Sequence, residues 1–219
     1  MELKLVTDEE QFFKESFSKN FPRLKQFFKL RPKIFMDLVF NISEINRCLI
    51  LESYIATITL TNHMLERLLK LALVEDELEV GPITNPWEKC YERMYPYLRM
   101  NMDKTIDLCY EKQLITENKK VEIKRYKTIF RNGFSHADLN LIFKEYPETY
   151  QAYTEKEVYT FNLKKDPRQI YHLNKFAERN AIEYFEFVIS LIDIIEKNLI
   201  DKFPNSYNVI NIKKRNNFQ

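Results

Sequence analysis

The sequence predicts an all-α fold, a helical bundle, on three observations. Apolar residues recur at i, i+3 and i+4 along most of the chain. Only two of its 219 residues are glycine, Gly81 and Gly133. Hydrophobic residues make up 45% and charged residues 30%, the balance of a chain that buries a core. The length fits one domain with trimmings. So little glycine also excludes the glycine-rich loops that cradle nucleotide phosphates.

Residues 8–40 read as short amphipathic helical pieces, dense in phenylalanine and broken at Pro22 and Pro32. A long helix is expected from about Ser43 to Val74, because Leu51, Tyr54, Ile55, Ile58, Leu65, Leu68, Leu69 and Ala72 keep one buried stripe. The stretch GPITNPWEK is a loop that brings in Trp87 as a core anchor. A helical hairpin follows, over about 88–113 and 117–132. Between Pro147 and Pro167 the helical period weakens, and Val158–Leu163 alternates as a strand does. A short strand-like excursion is therefore expected near 157–163, an arm or turn rather than a sheet. The last long helix, about 173–200, carries Phe176, Ala177, Tyr184, Phe185, Val188, Leu191, Ile192 and Ile195 on its inner face, with His172 before it as a cap or loop residue. The division that results is an N-terminal helical extension (1–42), a bundle (43–203) and a polar, basic tail (204–219).

Charge sets further bounds. With 34 basic and 32 acidic residues the net charge is +2, so a nucleic-acid partner can be argued only from local clustering. Cys48, Cys90 and Cys109 have no metal-ligand spacing and read as reduced thiols. No His, Cys or carboxylate cluster has ligand spacing either, so neither metal nor cofactor is expected. The N-terminus carries acids early and lacks a continuous apolar stretch, and no run reaches 18 apolar residues. A cytoplasmic protein with no membrane contact is the expectation.

Chemistry concentrates in Arg131-Asn132-Gly133-Phe134-Ser135-His136. Lys120, Lys124, Lys127 and Arg131 lead into it at spacings of +4, +3 and +4, on one helix face. Such a row is either a solvated face or a track for RNA phosphates. Ile123, Tyr126 and Phe130 lie on the opposite, apolar side. Gly133 is expected to end the helix in the left-handed region, and Ser135-x-x-Asp138 to open the next one as a capping box. Arg131 would then close one helix while His136 begins another. A permanent cation beside a group that titrates near neutrality suits attack on a phosphodiester.

Arg131-Asn132-x-x-x-His136 resembles the R-x(4–6)-H signature of HEPN domains, with the polar residue that often follows the arginine. The resemblance covers about residues 43–200 and implies an all-α, HEPN-like bundle. It also implies a metal-independent endoribonuclease of bacterial defence or toxin-type growth arrest, which cleaves RNA through 2′-OH attack. His136 would act as general base or acid, Arg131 would hold the phosphate, and Asn132 would orient the histidine or the substrate. The resemblance further implies a homodimer with a composite site, and an antitoxin or defence-system partner. A non-catalytic HEPN-like module that binds RNA or protein is the alternative. Asp138 stands where toxins regulated by nucleotidyltransferases carry a modified tyrosine, which argues against that mode of control.

Thr59, Asn62, His63, Glu66 and Lys70 form a polar strip beside the apolar stripe of the long helix. Glu66 is the candidate for the acid that such proteins supply in support of the arginine; pairing with Lys70 at i+4 is the other reading. His63 reads as a surface histidine. Lys213-Lys214-Arg215 could touch RNA electrostatically.

Overall fold

Helical periodicity governs nearly the whole chain. The computed structural model describes residues 2–81, 87–134, 136, 138–144, 149–153, 158–162 and 169–206, with only the backbone at 2–7, 87, 139, 150–153, 161 and 169. In order, the elements are α1 (Glu2–Leu24), a 3₁₀ turn (Phe27–Lys29), α2 (Leu38–Ile50), α3 (Tyr54–Glu77), α4 (Trp87–Leu98), α5 (Met102–Glu111) and α6 (Glu117–Tyr126). A π-helical turn (Lys127–Gly133), α7 (Leu139–Ile142), β1 (Thr149–Tyr153), β2 (Val158–Asn162) and α8 (Gln169–Lys202) complete them. Among the described residues the fold is all-α apart from one hairpin, and no helix is long and apolar enough to cross a membrane. The expected excursion is β2, and it is paired: β1 runs antiparallel to it, with Thr149 opposite Asn162 and Tyr153 opposite Val158. Glu157, Leu163, the tail from Tyr207 and the side chain of Trp87 lie outside the described residues.

Packing groups the chain into two compact units. One comprises Met1–Leu30, Phe40–Asn62 and Arg125–Glu186; the other comprises Arg31–Val39, His63–Lys124 and Phe187–Gln219. In the first, Ile42, Ile45, Leu49, Ile58, Ala177, Ala181, Tyr184 and Phe185 are buried. Phe27 meets Phe185 edge-on at 5.2 Å between ring centroids. Asn20 of α1 donates to the Ile50 carbonyl and to Glu52 Oε1, each at 3.0 Å, so it closes the end of α2. In the second unit, Leu68, Leu69, Ala72, Ile106, Ile123, Val188, Leu191 and Ile195 form the core. The buried Glu196 carboxylate accepts from the backbone N–H groups of Ile34 (2.6 Å) and Phe35 (3.1 Å). Asp76, also buried, takes Lys112 Nζ at 2.7 Å and Lys202 Nζ at 2.5 Å.

Several boundaries differ from the sequence expectation. The helix expected from Ser43 to Val74 is two helices, parted where Glu52 adopts a left-handed φ of 56° and Ser53 N–H returns to the Cys48 carbonyl at 2.8 Å. The first limb of the expected hairpin divides likewise. Asn101 caps α5 by accepting from Lys104 N–H at 3.0 Å. Pro22 does not break α1; it sits in the last turn, where it forfeits one backbone bond. His172 is neither cap nor loop but a buried residue within α8. The eight inner-face residues expected of that helix are all buried.

Burial pushes the Glu75 carboxyl in α3 up from 4.5 to about 7. The folded chain therefore holds this proton more tightly than the unfolded chain does. The associated stability is complete below about pH 4.5 and drains away as pH rises through about 7. Glu75→Gln should accordingly melt higher than the parent at pH 8, by up to about 3 kcal/mol, and the gap should shrink toward pH 5. Thermal melts at the two pH values read this directly; a gap independent of pH would remove Glu75 as the cause.

Candidate functional site around Arg131 and His136

The site begins with the question of where the last carbonyls of a long helix find donors. After α6 the backbone widens into the π-helical turn Lys127–Gly133. Such turns within α-helices are rare and frequent at functional positions. The Phe130 carbonyl accepts from Asn62 Nδ2 at 2.9 Å. Phe134 N–H donates to the Arg131 carbonyl. His136 N–H reaches the Asn132 carbonyl at 3.3 Å, and Asp138 N–H the Gly133 carbonyl at 2.8 Å.

Asn62 is the hinge pin of this arrangement. Its Nδ2 donates to Phe130, while its Oδ1 accepts from the Tyr184 hydroxyl at 2.8 Å. Phe130 in turn lies flat on Tyr184, 4.3 Å between centroids and 7° between planes, and Tyr126 stacks on both. Burial pushes the Tyr184 phenol above its ordinary range; nearby Tyr126 adds to the rise, and the Arg131 charge opposes it. The arginine therefore lies near enough for its charge to be felt in this core.

Gly133 plays a different part from the expected one. No glycine in the described chain has a positive φ, and Gly133 ends no helix in the left-handed region. A Cβ built on it would stand 2.8 Å from Ile142 Cγ1, 3.2 Å from Ile142 N and 3.2 Å from Leu141 Cβ. Its role is to let α7 close against the π-helical turn. His136 lies in the intervening turn rather than in the first turn of a helix. Asp138 starts α7, with its Oδ1 accepting from Asn140 N–H at 2.9 Å. Ser135, the expected first member of the capping box, lies outside the described residues.

Of the candidate residues, Arg131 and Asn132 are half-buried in the π-helical turn and His136 is exposed one turn on. Lys120 and Lys124 converge on Asp107, at 3.1 and 2.6 Å. Hydrogen bonds from Lys124, then Lys120, hold the Asp107 carboxyl below its ordinary range. Lys120 also lies over the Tyr110 ring at 4.6 Å. The first half of the basic row is thus a shared ion-pair cluster rather than a bare line of cations. Lys127 opens the π-helical turn. Glu66 pairs with Lys70 at 3.0 Å, the i+4 alternative, and His63 is exposed. Sequence reasoning passed over Asn62 as a member of the polar strip. Its spacing to Ile58, Leu65 and Leu69 (−4, +3, +7) puts it in the apolar stripe, which is the signal of a buried hydrogen-bonding role.

No family model matches the chain, and no curated protein or solved structure is significantly similar to it.

Two stability measurements follow from this geometry. Asn62→Leu leaves the Tyr184 hydroxyl and the Phe130 carbonyl without their partner and should cost about 3 kcal/mol in urea denaturation. Combined with Tyr184→Phe, the loss should fall short of the sum of the single losses, since both remove one bond; strict additivity would deny the coupling. Gly133→Ala should cost about 2 kcal/mol through overpacking against α7. A neutral result there would mean that α7 moves away freely.

Proposed function

We propose that the chain is a metal-independent endoribonuclease of the HEPN kind, with Arg131, Asn132 and His136 as its catalytic residues. The observation that carries this reading is the π-helical turn. It holds Arg131 and Asn132 half-buried and is followed at once by an exposed His136 whose N–H is bonded to the Asn132 carbonyl. In the proposed reaction a ribose 2′-hydroxyl attacks the adjacent phosphorus and the bond to the 5′-oxygen breaks. A 2′,3′-cyclic phosphate and a 5′-hydroxyl result. One proton leaves the 2′-hydroxyl and one arrives at the 5′-oxygen; His136 carries one of these transfers. Arg131 offsets the charge that builds on the phosphoryl oxygens, and Asn132 orients the imidazole or the substrate. A second copy of the chain would supply the other proton carrier, which is the reason for proposing a homodimer. The proposed setting is the cytoplasm, in bacterial defence or growth arrest, with an antitoxin or defence component as partner. Lys120, Lys124 and Lys127 would add phosphate contacts; the share of Asp107 in the first two lowers what they offer. Glu66 would support Arg131 in this reading.

A second reading, a non-catalytic module that binds RNA or protein, has its own observation. Arg131 is half-buried in the π-helical turn and follows Phe130, whose ring stacks on Tyr184, as a residue with a structural role would. The two readings part on one assay. Under the first, purified protein cleaves single-stranded RNA in EDTA to products ending in a cyclic phosphate, and Arg131→Ala and His136→Ala each lower the rate at least about a hundredfold. Under the second, His136→Ala changes nothing while Arg131→Ala lowers stability. Full cleavage by both variants would end the nuclease assignment to this site.

A further inference from the structure

Outside that site, the feature with the most unexplained chemistry is α1. Ser16 and Leu24 are buried and Asn20 is bonded to α2, so spacing of four fixes the docked face. Phe13, Phe17 and Phe21 repeat the same spacing on a neighbouring face and remain 47%, 50% and 36% exposed. Phe17 and Phe21 stack on each other, 4.8 Å between centroids and 13° between planes, and both rings stay partly in solvent.

Along the chain the charge that follows Phe17 has one sign, with Lys19 paired to Glu52 of the turn after α2. From Ser16 to Leu30 the chain carries Lys19, Arg23, Lys25 and Lys29 and no acid. Arg23, Lys25 and Lys29 are exposed, and neither Lys25 nor Lys29 forms an ion pair with a described carboxylate. The residues before it carry the opposite sign: Asp8, Glu9, Glu10 and Glu15. Exposed aromatic rings beside Lys25 and Lys29 fit a single-stranded polynucleotide, whose bases stack while its phosphates meet the lysines. An anionic bilayer would have to accept the whole helix lying flat, its five carboxylates included. A polynucleotide strand can follow the basic half alone.

We infer that the Phe17–Phe21 face of α1, with Lys25 and Lys29, is a docking surface for single-stranded RNA, which stacks bases on the exposed parts of the two rings. The inference rests on the RNA-directed reading above, but it concerns binding and not cleavage. The test uses full-length His136→Ala protein, so that RNA stays intact, and follows the anisotropy of a fluorescein-labelled single-stranded oligouridylate at several salt concentrations. Adding Phe17→Ala and Phe21→Ala should weaken binding about tenfold or more. Adding Lys25→Ala and Lys29→Ala instead should reduce the slope of log affinity against log salt by about 1.4, at 0.7 for each phosphate contact. Circular dichroism checks that each variant is folded. Unchanged affinity in both variants overturns the proposal, even if the parent chain cleaves RNA. Binding that depends on the two rings supports it, even if no cleavage is ever seen. Binding to vesicles of phosphatidylcholine and phosphatidylglycerol without binding to RNA overturns it in favour of a membrane. A loss of self-association in the Phe17→Ala/Phe21→Ala variant with RNA affinity unchanged overturns it in favour of a second copy.

Discussion

The Phe130 carbonyl and its bond from Asn62 fix the place where, among the described residues, the chain departs from regular helix with Arg131, Asn132 and His136 in hand. A helix that ends inside a protein must find donors for its last carbonyls, and here each donor is a specific group. Asn62 takes Phe130, while the N–H groups of Phe134, His136 and Asp138 take Arg131, Asn132 and Gly133. The path of the turn is therefore set largely by backbone bonds, by Asn62 and by the glycine contact with α7. It does not require the identity of the side chain at 136. That separation matters for function, because the exposed His136 can be exchanged without removing what holds the turn. Asn62 and Tyr184 can make no such exchange: each buried group depends on the other.

Electrostatics divides the cations of the chain into two populations. Lys120 and Lys124 share Asp107, so that spot carries one net charge rather than two. Exposed pairs of this kind contribute about 0–1 kcal/mol, so a phosphate could displace Asp107 from either lysine, though with a smaller gain than from an unpaired one. Lys25 and Lys29, by contrast, have no acid within the surrounding sequence to relinquish. The counter-charge of Lys120 and Lys124 arrives from α5 and is invisible within the row's own sequence.

The fold class was legible because burial repeats with the helical period, and the inner face of α8 was legible residue by residue for the same reason. Helix ends were less so. The break after α2 turns on left-handed Glu52, a residue type that carries no such signal, whereas glycine would have. The break between α4 and α5 was missed as well, while the one after α5, at left-handed Gln113, falls where the sequence placed it. Gly133 gave the opposite error: a real signal with the wrong cause, close approach instead of left-handed backbone. The pairing of β2 with β1 was illegible because the alternation appears in one strand only. Arg131, Asn132 and His136 were found as a motif in sequence, but their setting was not. A π-helical turn leaves no mark on periodicity over seven residues, and the residue that secures it lies 68 positions away.

The exposure of the α1 phenylalanines follows from the same kind of constraint. Asn20 closes the end of α2, and Lys19 pairs with Glu52 at 2.7 Å in the very turn that parts α2 from α3. Rolling α1 by one residue, about 100°, would hide Phe17 but would expose Leu24 and break both bonds of Asn20. Each phenylalanine, already half-buried, forgoes roughly 1 kcal/mol of further burial, and the roll would lose more than that in Leu24 and the orphaned Ile50 carbonyl. The rings are thus held outward by a face of α1 that cannot be exchanged for theirs. Any gain from covering them must come from something that binds there.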